Sequence, residues 1–304
     1  PIHEDMMDRG VKILNNSWGG LYWTNLDATA PIAAEFRPFV IDHGGLVVFA
    51  TGNGSFDDPS ETAMLPSVPG HNGATPGADL AVGWLAVTAL DEDNPELLAE
   101  YANACGQAMN YCLAAPGSVV VTGTDDAPDD PGYWRWTGTS FAAPLVSGAA
   151  ALVWEAFPWF DNDLVRQTIL GTATDLGEEG VDEIFGYGLL DVGKAVQGPG
   201  RFDWGTVTAS FNDGASTWGN DITGAGGLVK RGSGTLELAG ENSYRGATRI
   251  DGGTLHLSGS LTRSAVTINN GGSLGGGGHV AGDVTNNGNL ALDAGSGFSI
   301  GGDY

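Results

Sequence analysis

Ser140 lies in Gly138-Thr139-Ser140-Phe141-Ala142-Ala143-Pro144, directly before the longest apolar run of the chain, Phe141 to Trp154, which carries no charge. Crossing a bilayer takes about 20 apolar residues, so the run predicts a buried helix with Ser140 in its first turn. Backbone N–H groups there have no helical partners, and the helix dipole favours negative charge beside them. A serine so placed can serve as a nucleophile next to amides that hold an oxyanion; it can equally be an ordinary N-cap. Asn53, in Thr51-Gly52-Asn53-Gly54-Ser55, is the second group with chemistry to offer. Its carboxamide can donate to a developing oxyanion, and an Asn between glycines also tolerates the left-handed backbone of a turn. The two roles do not exclude each other.

These groups need a scaffold, and the pattern around them supplies one. Residues 3–10 read as the end of a surface helix stopped by Gly10, and Val11 to Asn16 as a strand leading into the turn Ser17-Trp18-Gly19-Gly20. A helix over 28–43 precedes Gly44-Gly45. Leu46 to Ala50 is a short apolar run bounded by glycines, the signature of a strand buried on both faces. Trp84 to Ala89 and Ser118 to Thr122 read as further strands, with helices at 141–157, about 161–170 and about 191–197. Strands alternating with helices predict an α/β domain with a mainly parallel sheet. Sites in such sheets form where loops leave the carboxyl ends of strands, as the loops at Ser17 and Thr51 do.

The chain has 304 residues and a formal charge of −25, from 37 acidic and 12 basic residues. That balance disfavours nucleic acid and anionic lipid as partners and suits a surface exposed to water outside a cell. Residues 1–198 hold 28 of the acidic residues and 24 of the 50 glycines, whereas 199–304 hold 9 and 26. The composition thus breaks at Gly198-Pro199-Gly200 and predicts domains at 1–198 and 199–304. Cys105 and Cys112 are spaced for a short loop disulfide or for two buried free thiols, and a disulfide would imply an oxidising compartment. The chain begins at Pro1 without an initiator methionine, signal peptide or membrane span, which predicts an internal piece of a longer protein.

The order Ser17-Trp18-Gly19, then Val47 to Asn53, then Gly138 to Pro144 resembles the second half of a subtilisin-like serine peptidase. Val146 to Leu152 and the closing Gly186-Tyr187-Gly188-Leu189-Leu190-Asp191 fit the same pattern, so the resemblance covers roughly residues 5–197. It implies that Ser140 is the nucleophile and Asn53 an oxyanion donor, joined by the Ser140 N–H. It also implies that Ser17, Trp18 and Gly19 pair with an extended substrate backbone, and that Gly52 lies in the wall of a side-chain pocket. Protein or peptide substrates follow. The triad order of that family is Asp, His, Ser, so both partners of Ser140 are expected upstream of Ser17. None of His3, His43, His71, His256 and His279 has the context of a catalytic base, and this chain by itself is expected to show little peptidase activity. No cofactor is expected. Asp125-Asp126-Ala127-Pro128-Asp129-Asp130-Pro131 is a solvated loop, a structural calcium site or a contact for basic substrates.

Beyond residue 199, short alternating strands separated by Gly/Asn turns, among them Asn270-Gly271 and Asn287-Gly288, predict a β-solenoid, with an open-ended β-sandwich as the competing geometry. Leu228 to Leu257 resembles the passenger repeat of autotransporters, and Cys105 to Cys112 followed by Ala114-Ala115-Pro116-Gly117 resembles autotransporter subtilases, in which the cysteines are expected to be bridged. The expected fold is therefore α/β, a partial subtilisin-like domain followed by a β-solenoid passenger region. The expected function is a serine endopeptidase, secreted or on the surface of a Gram-negative bacterium and attached to the membrane only through a C-terminal barrel absent from this chain. The competing reading is a non-catalytic, adhesin-like passenger with a decayed peptidase fold.

Overall fold

A computed structural model describes the chain except Pro1, Gly20, Thr124, Asp125, Asp126, Pro128, Asp293, Ala294 and Ser296. Asp125, Asp126 and Pro128 of the acidic loop singled out above thus lie outside the described residues; Asp129 and Asp130 within it are exposed. The structure forms two compact units, one of Pro1–Ala151, Asp161–Arg166 and Ala173–Asp191, the other of Leu152–Phe160, Gln167–Thr172 and Val192–Tyr304.

The first unit is built on a parallel sheet of β1 (Ile13–Asn16), β2 (Leu46–Ala50), β3 (Trp84–Leu90) and β4 (Cys112–Pro116), in that order. Its registers place Ile13 opposite Leu46, Val47 opposite Trp84 and Ala86 opposite Cys112. Every residue of β2 and β3 is buried, as their unbroken apolar runs predict. Helix α1 (Ile2–Asp8) stops before Gly10, and α2 (Thr29–Arg37) runs on into a π turn over Pro38–Asp42 closed by His43 N–H donating to Pro38 O. Phe36, Phe49 and Trp84 form the aromatic centre of the core; Phe49 stacks on Trp84 at 5.3 Å and Phe36 meets it edge-on at 5.0 Å. Trp84 is fully buried and donates its indole N–H to Ala63 O, and truncating such a ring costs ~3–5 kcal/mol.

One expected strand sits elsewhere. Ser118 to Thr122 is not in the parallel sheet: as β5 (Ser118–Thr122) it pairs antiparallel with β6 (Tyr133–Thr137) in a separate hairpin. The fourth place in the sheet is taken by β4, which begins at Cys112. The three valines of β5 carry β-propensity, but the small residues Ala114 and Ala115 fit the close packing of the sheet. Cys112 is disulfide-bonded to Cys105, with Cα atoms 5.8 Å apart and both residues buried. Helices α3 (Thr139–Ala156), α4 (Asn162–Thr172) and the short α5 (Val192–Ala195) lie where the sequence places them. No described helix is long and apolar enough to cross a membrane.

The second unit contains a β-solenoid, and the sandwich alternative is set aside by its all-parallel, in-register pairing. One face stacks β7 (Val207–Ser210), β9 (Leu228–Arg231), β12 (Thr248–Ile250), β15 (Val266–Ile268) and β18 (Val284–Asn286). A second stacks β8 (Ala215–Trp218), β10 (Thr235–Leu238), β13 (Gly253–Leu257), β16 (Gly272–Gly276) and β19 (Asn289–Leu292). The third stacks β11 (Glu241–Asn242), β14 (Ser260–Leu261), β17 (His279–Val280) and β20 (Ser299–Ile300). Alternation puts Leu236, Leu255 and Leu274 at successive levels of one buried column. Asn242 is buried in the interior with its amide satisfied: Oδ1 accepts from Ile222 N–H, and Nδ2 donates to Gly240 O and Ser260 O.

Candidate active site

Ser140 is the second residue of α3, so it is inside the first turn and not its N-cap. The turn is held by Asn53. The Asn53 side-chain oxygen accepts from both the N–H and the hydroxyl of Thr139, each at 2.9 Å, satisfying one of the donors that a helix start leaves without partners. This fixes the orientation of the carboxamide: Oδ1 is committed to α3, and Nδ2 is left as a donor. A methyl group placed on Gly138 would lie 3.0 Å from Ser140 Oγ and 3.3 Å from Asn53 Nδ2. Both polar atoms therefore face one small space beside Gly138, which a side chain there would crowd. Asn53 does not adopt left-handed backbone; the positive φ of that loop outside glycine belongs to Ser55, at 55°.

Ser17 reaches the same turn from the carboxyl end of β1. Its hydroxyl donates to the Ser140 carbonyl at 2.7 Å. In an uninterrupted helix that carbonyl would accept from residue 144, but Pro144 has no N–H. The serine thus fills the vacancy that the proline makes, and Asn15 Nδ2 in turn donates to Ser17 Oγ at 2.9 Å.

Two further residues position the site: Thr139, inside the Gly138 to Pro144 motif, and Asn103, which belongs to no motif. Thr139 is fully buried, and its hydroxyl also accepts from Gly52 N–H at 3.2 Å. Asn103, likewise fully buried, organises the loop of Asn53. Its Oδ1 accepts from Gly54 N–H at 2.8 Å and Phe56 N–H at 3.2 Å, and its Nδ2 donates to Thr51 O and to the Tyr22 hydroxyl. Thr51 and Thr88 hydroxyls both donate to its carbonyl. Gly52, at φ +120°, leaves the room this amide needs: a Cβ there would lie 2.7 Å from Asn103 Nδ2. A polar residue between Ala102 and Ala104 was the sole hint in the sequence.

Ser17, Trp18, Gly19, Gly52, Asn53 and Ser140 all line one cleft of about 360 Å³, together with Tyr22, Ala50, Gly54, Phe56 and Thr139. Among the described residues its lining holds no carboxylate, lysine, arginine or histidine. Trp18 packs edge-on against Phe49 and Tyr22 edge-on against Phe56, at 5.2 and 5.6 Å. The five histidines lie elsewhere. His3 and His43 contact Glu35 O and Val11 O beside Phe39, His71 pairs with Asp27, His256 lies 3.9 Å from Glu237, and His279 bonds Ser299. Among the described residues no group of three or more His, Cys, Asp or Glu is placed to hold a metal ion.

A serine in the first turn of α3, which follows the β5–β6 hairpin, and a carboxamide donor beside it, on the loop that follows β2 of the parallel sheet, fit a serine-hydrolase type of site. Residues 3–188 match the Subtilase family, and residues 228–257 match the passenger-associated-transport-repeat. The chain belongs to the subtilase family and carries an autotransporter passenger repeat behind its subtilase-like fold. It is 34% identical over 294 residues to the Neisserial autotransporter lipoprotein NalP of Neisseria meningitidis serogroup B, covering 81% of this chain and 26% of that protein. Serotype-specific antigen 1 of Mannheimia haemolytica is 36% identical, covering 65% of this chain and 20% of its own length. An extracellular serine protease of Serratia marcescens is 33% identical, covering 68% and 24%. The chain thus spans about a quarter or less of these relatives.

Proposed function

We propose that this chain carries the nucleophile and oxyanion half of a serine endopeptidase that acts on the cell surface or after secretion. Ser140 attacks a peptide carbonyl as its proton passes to a base outside this chain. Asn53 Nδ2 and the Ser140 N–H hold the tetrahedral oxyanion, whose collapse breaks the peptide C–N bond, the amine leaving with that proton and the acyl group remaining on Ser140. The observation that supports this best is the division of the Asn53 carboxamide, whose oxygen is tied to Thr139 while its nitrogen shares the space beside Gly138 with Ser140 Oγ. Ser17 to Gly19 offer backbone to an extended substrate, and the uncharged, aromatic-lined cleft suits an apolar substrate side chain.

A serine hydroxyl needs a base, and no histidine of this chain lines the cleft. The 304-residue chain alone is therefore expected to turn over casein slowly or not at all, with the base supplied by residues outside it. Fluorophosphonate labelling of the intact gene product tests the reading: modification at Ser140, with casein hydrolysis abolished by Ser140→Ala, is the expected result. An intact product that neither labels nor hydrolyses would leave the adhesin-like passenger as the better account.

A further inference from the structure

The β5–β6 hairpin is the most exposed apolar feature of the first unit. Tyr133, Trp134 and Trp136 are 73%, 57% and 58% exposed. The register pairs Val119 with Trp136 and Val121 with Trp134, and residues directly opposite in an antiparallel pair share a face. One face is thus a continuous apolar surface of two tryptophans and two valines. The other carries Tyr133, Val120 and Arg135, and Arg135 is ion-paired with Glu92. Exposed acids flank the hairpin: Glu92, Asp93 and Glu96 on the segment that Arg135 contacts, Asp129 and Asp130 in the loop joining the strands. Neither strand has a second strand partner among the described residues, so each offers an edge with free backbone groups. The hairpin closes at Gly117, whose carbonyl accepts from Gly138 N–H at 2.9 Å, two residues before Ser140. No described hairpin residue lines the cleft.

We propose that this hairpin is a docking surface for the protein substrate, which adds to it as an extended third strand in which apolar and basic residues alternate. The inference rests on the peptidase reading of Ser140. Strand addition satisfies the free edge, and a period of two sets apolar side chains on the tryptophan face and basic ones beside Glu92, Asp93 and Glu96. The same acids oppose the alternatives. An anionic bilayer is repelled by them and by the net charge of −25, and a second copy would bring like charges against like.

The test uses the full chain carrying Ser140→Ala and fluorescence anisotropy with two labelled dodecapeptides, one alternating Leu and Lys, the other Leu and Glu. Saturable binding of the Leu/Lys peptide alone is expected. Trp134→Ser/Trp136→Ser, which leaves the charge unchanged, should weaken it about tenfold or more. Glu92→Lys/Glu96→Lys, outside the strands, should weaken it too and admit the Leu/Glu peptide. Equal binding of the two peptides, or binding that survives the tryptophan substitutions, overturns the proposal. So does a tryptophan-dependent dimer in sedimentation, tryptophan-dependent binding to phosphatidylcholine/phosphatidylglycerol vesicles, or burial of both tryptophans in the intact gene product by another stretch of the same protein. Fluorophosphonate labelling of Ser140 in the unsubstituted intact gene product, found together with no peptide binding by the Ser140→Ala chain, defeats the docking proposal alone. Peptide binding without Ser140 labelling defeats the peptidase reading instead.

Discussion

The Asn53 carboxamide holds Thr139 by its oxygen and, as proposed, an oxyanion by its nitrogen, and substitution can separate the two. Asn53→Asp keeps the acceptor that Thr139 uses and removes the donor. It is expected to slow fluorophosphonate labelling of the intact product about 10²–10³-fold while the urea midpoint stays near that of the parent. Asn53→Ala loses both functions and should also cost about 1 kcal/mol of stability. Ser17 and Pro144 are coupled in a comparable way through the Ser140 carbonyl. Ser17→Ala leaves that carbonyl without its donor, at ~1–2 kcal/mol. In a Pro144→Ala background residue 144 regains an N–H, so the same substitution should cost much less. A double-mutant cycle by urea denaturation reads the coupling; additive costs would show that the hydroxyl is not standing in for the missing helical donor.

In the solenoid, strands too short to be stable singly are held by stacking; Asn242 and Lys230 inside it are hydrogen-bonded, whereas Trp218 Nε1 is buried with no hydrogen-bond partner among the described residues. Lys230, fully buried on β9, donates to Arg231 O at 2.6 Å, Gly232 O at 3.2 Å and Gly252 O at 3.4 Å, with Nζ 4.8 Å from the Phe211 ring centre. Burial lowers its pKa from the ordinary 10.5 to about 8. The folded protein therefore releases this proton near pH 8, while the unfolded chain holds it up to pH 10.5. The unfolded state binds more protons between those values, so stability from this group rises with pH across the window and is lost as pH falls back to 8. The difference in unfolding free energy between the parent and Lys230→Met, measured by urea at both ends of the window, should move in favour of the parent at the upper end. A difference independent of pH would contradict the burial argument.

The compact units are not delimited by sequence order. Leu152–Phe160 and Gln167–Thr172 belong to the unit that holds the solenoid. Within it Trp159 stacks on Phe211 at 4.7 Å, and Phe160 meets the fully buried Trp218 edge-on at 6.1 Å. Residues that precede the passenger repeat in the chain thus complete the solenoid's aromatic core. Phe160→Ala should cost this unit ~3 kcal/mol or more, seen as a lower urea midpoint in near-ultraviolet circular dichroism. An unchanged midpoint would mean that the solenoid strands are self-sufficient. The net charge of −25 acts over the same distances: it governs solubility and partner choice and leaves the fold to packing.

Much of this molecule is written in local pattern. The apolar run after Ser140 is a helix, as expected, but only one side of it is buried, Leu145 and Leu152 being exposed, whereas Leu46 to Ala50 is a strand buried on both faces. The alternation beyond residue 199 sets the solenoid columns, because a period of two leaves each strand one apolar face. Partnerships are another matter. Ser118 to Thr122 and Cys112 to Pro116 both have strand character, and which of them joins the parallel sheet depends on small side chains meeting β3. Asn103 and Thr139 acquire their importance from groups 49 and 87 positions away, in the bonds of Asn103 Oδ1 with Gly54 N–H and of the Thr139 hydroxyl with Gly52 N–H. A hydrogen bond across such a separation leaves no periodic trace, since its geometry exists once the chain has folded. The vacancy at the Ser140 carbonyl is implicit in Pro144; that Ser17 fills it follows from where β1 ends in space.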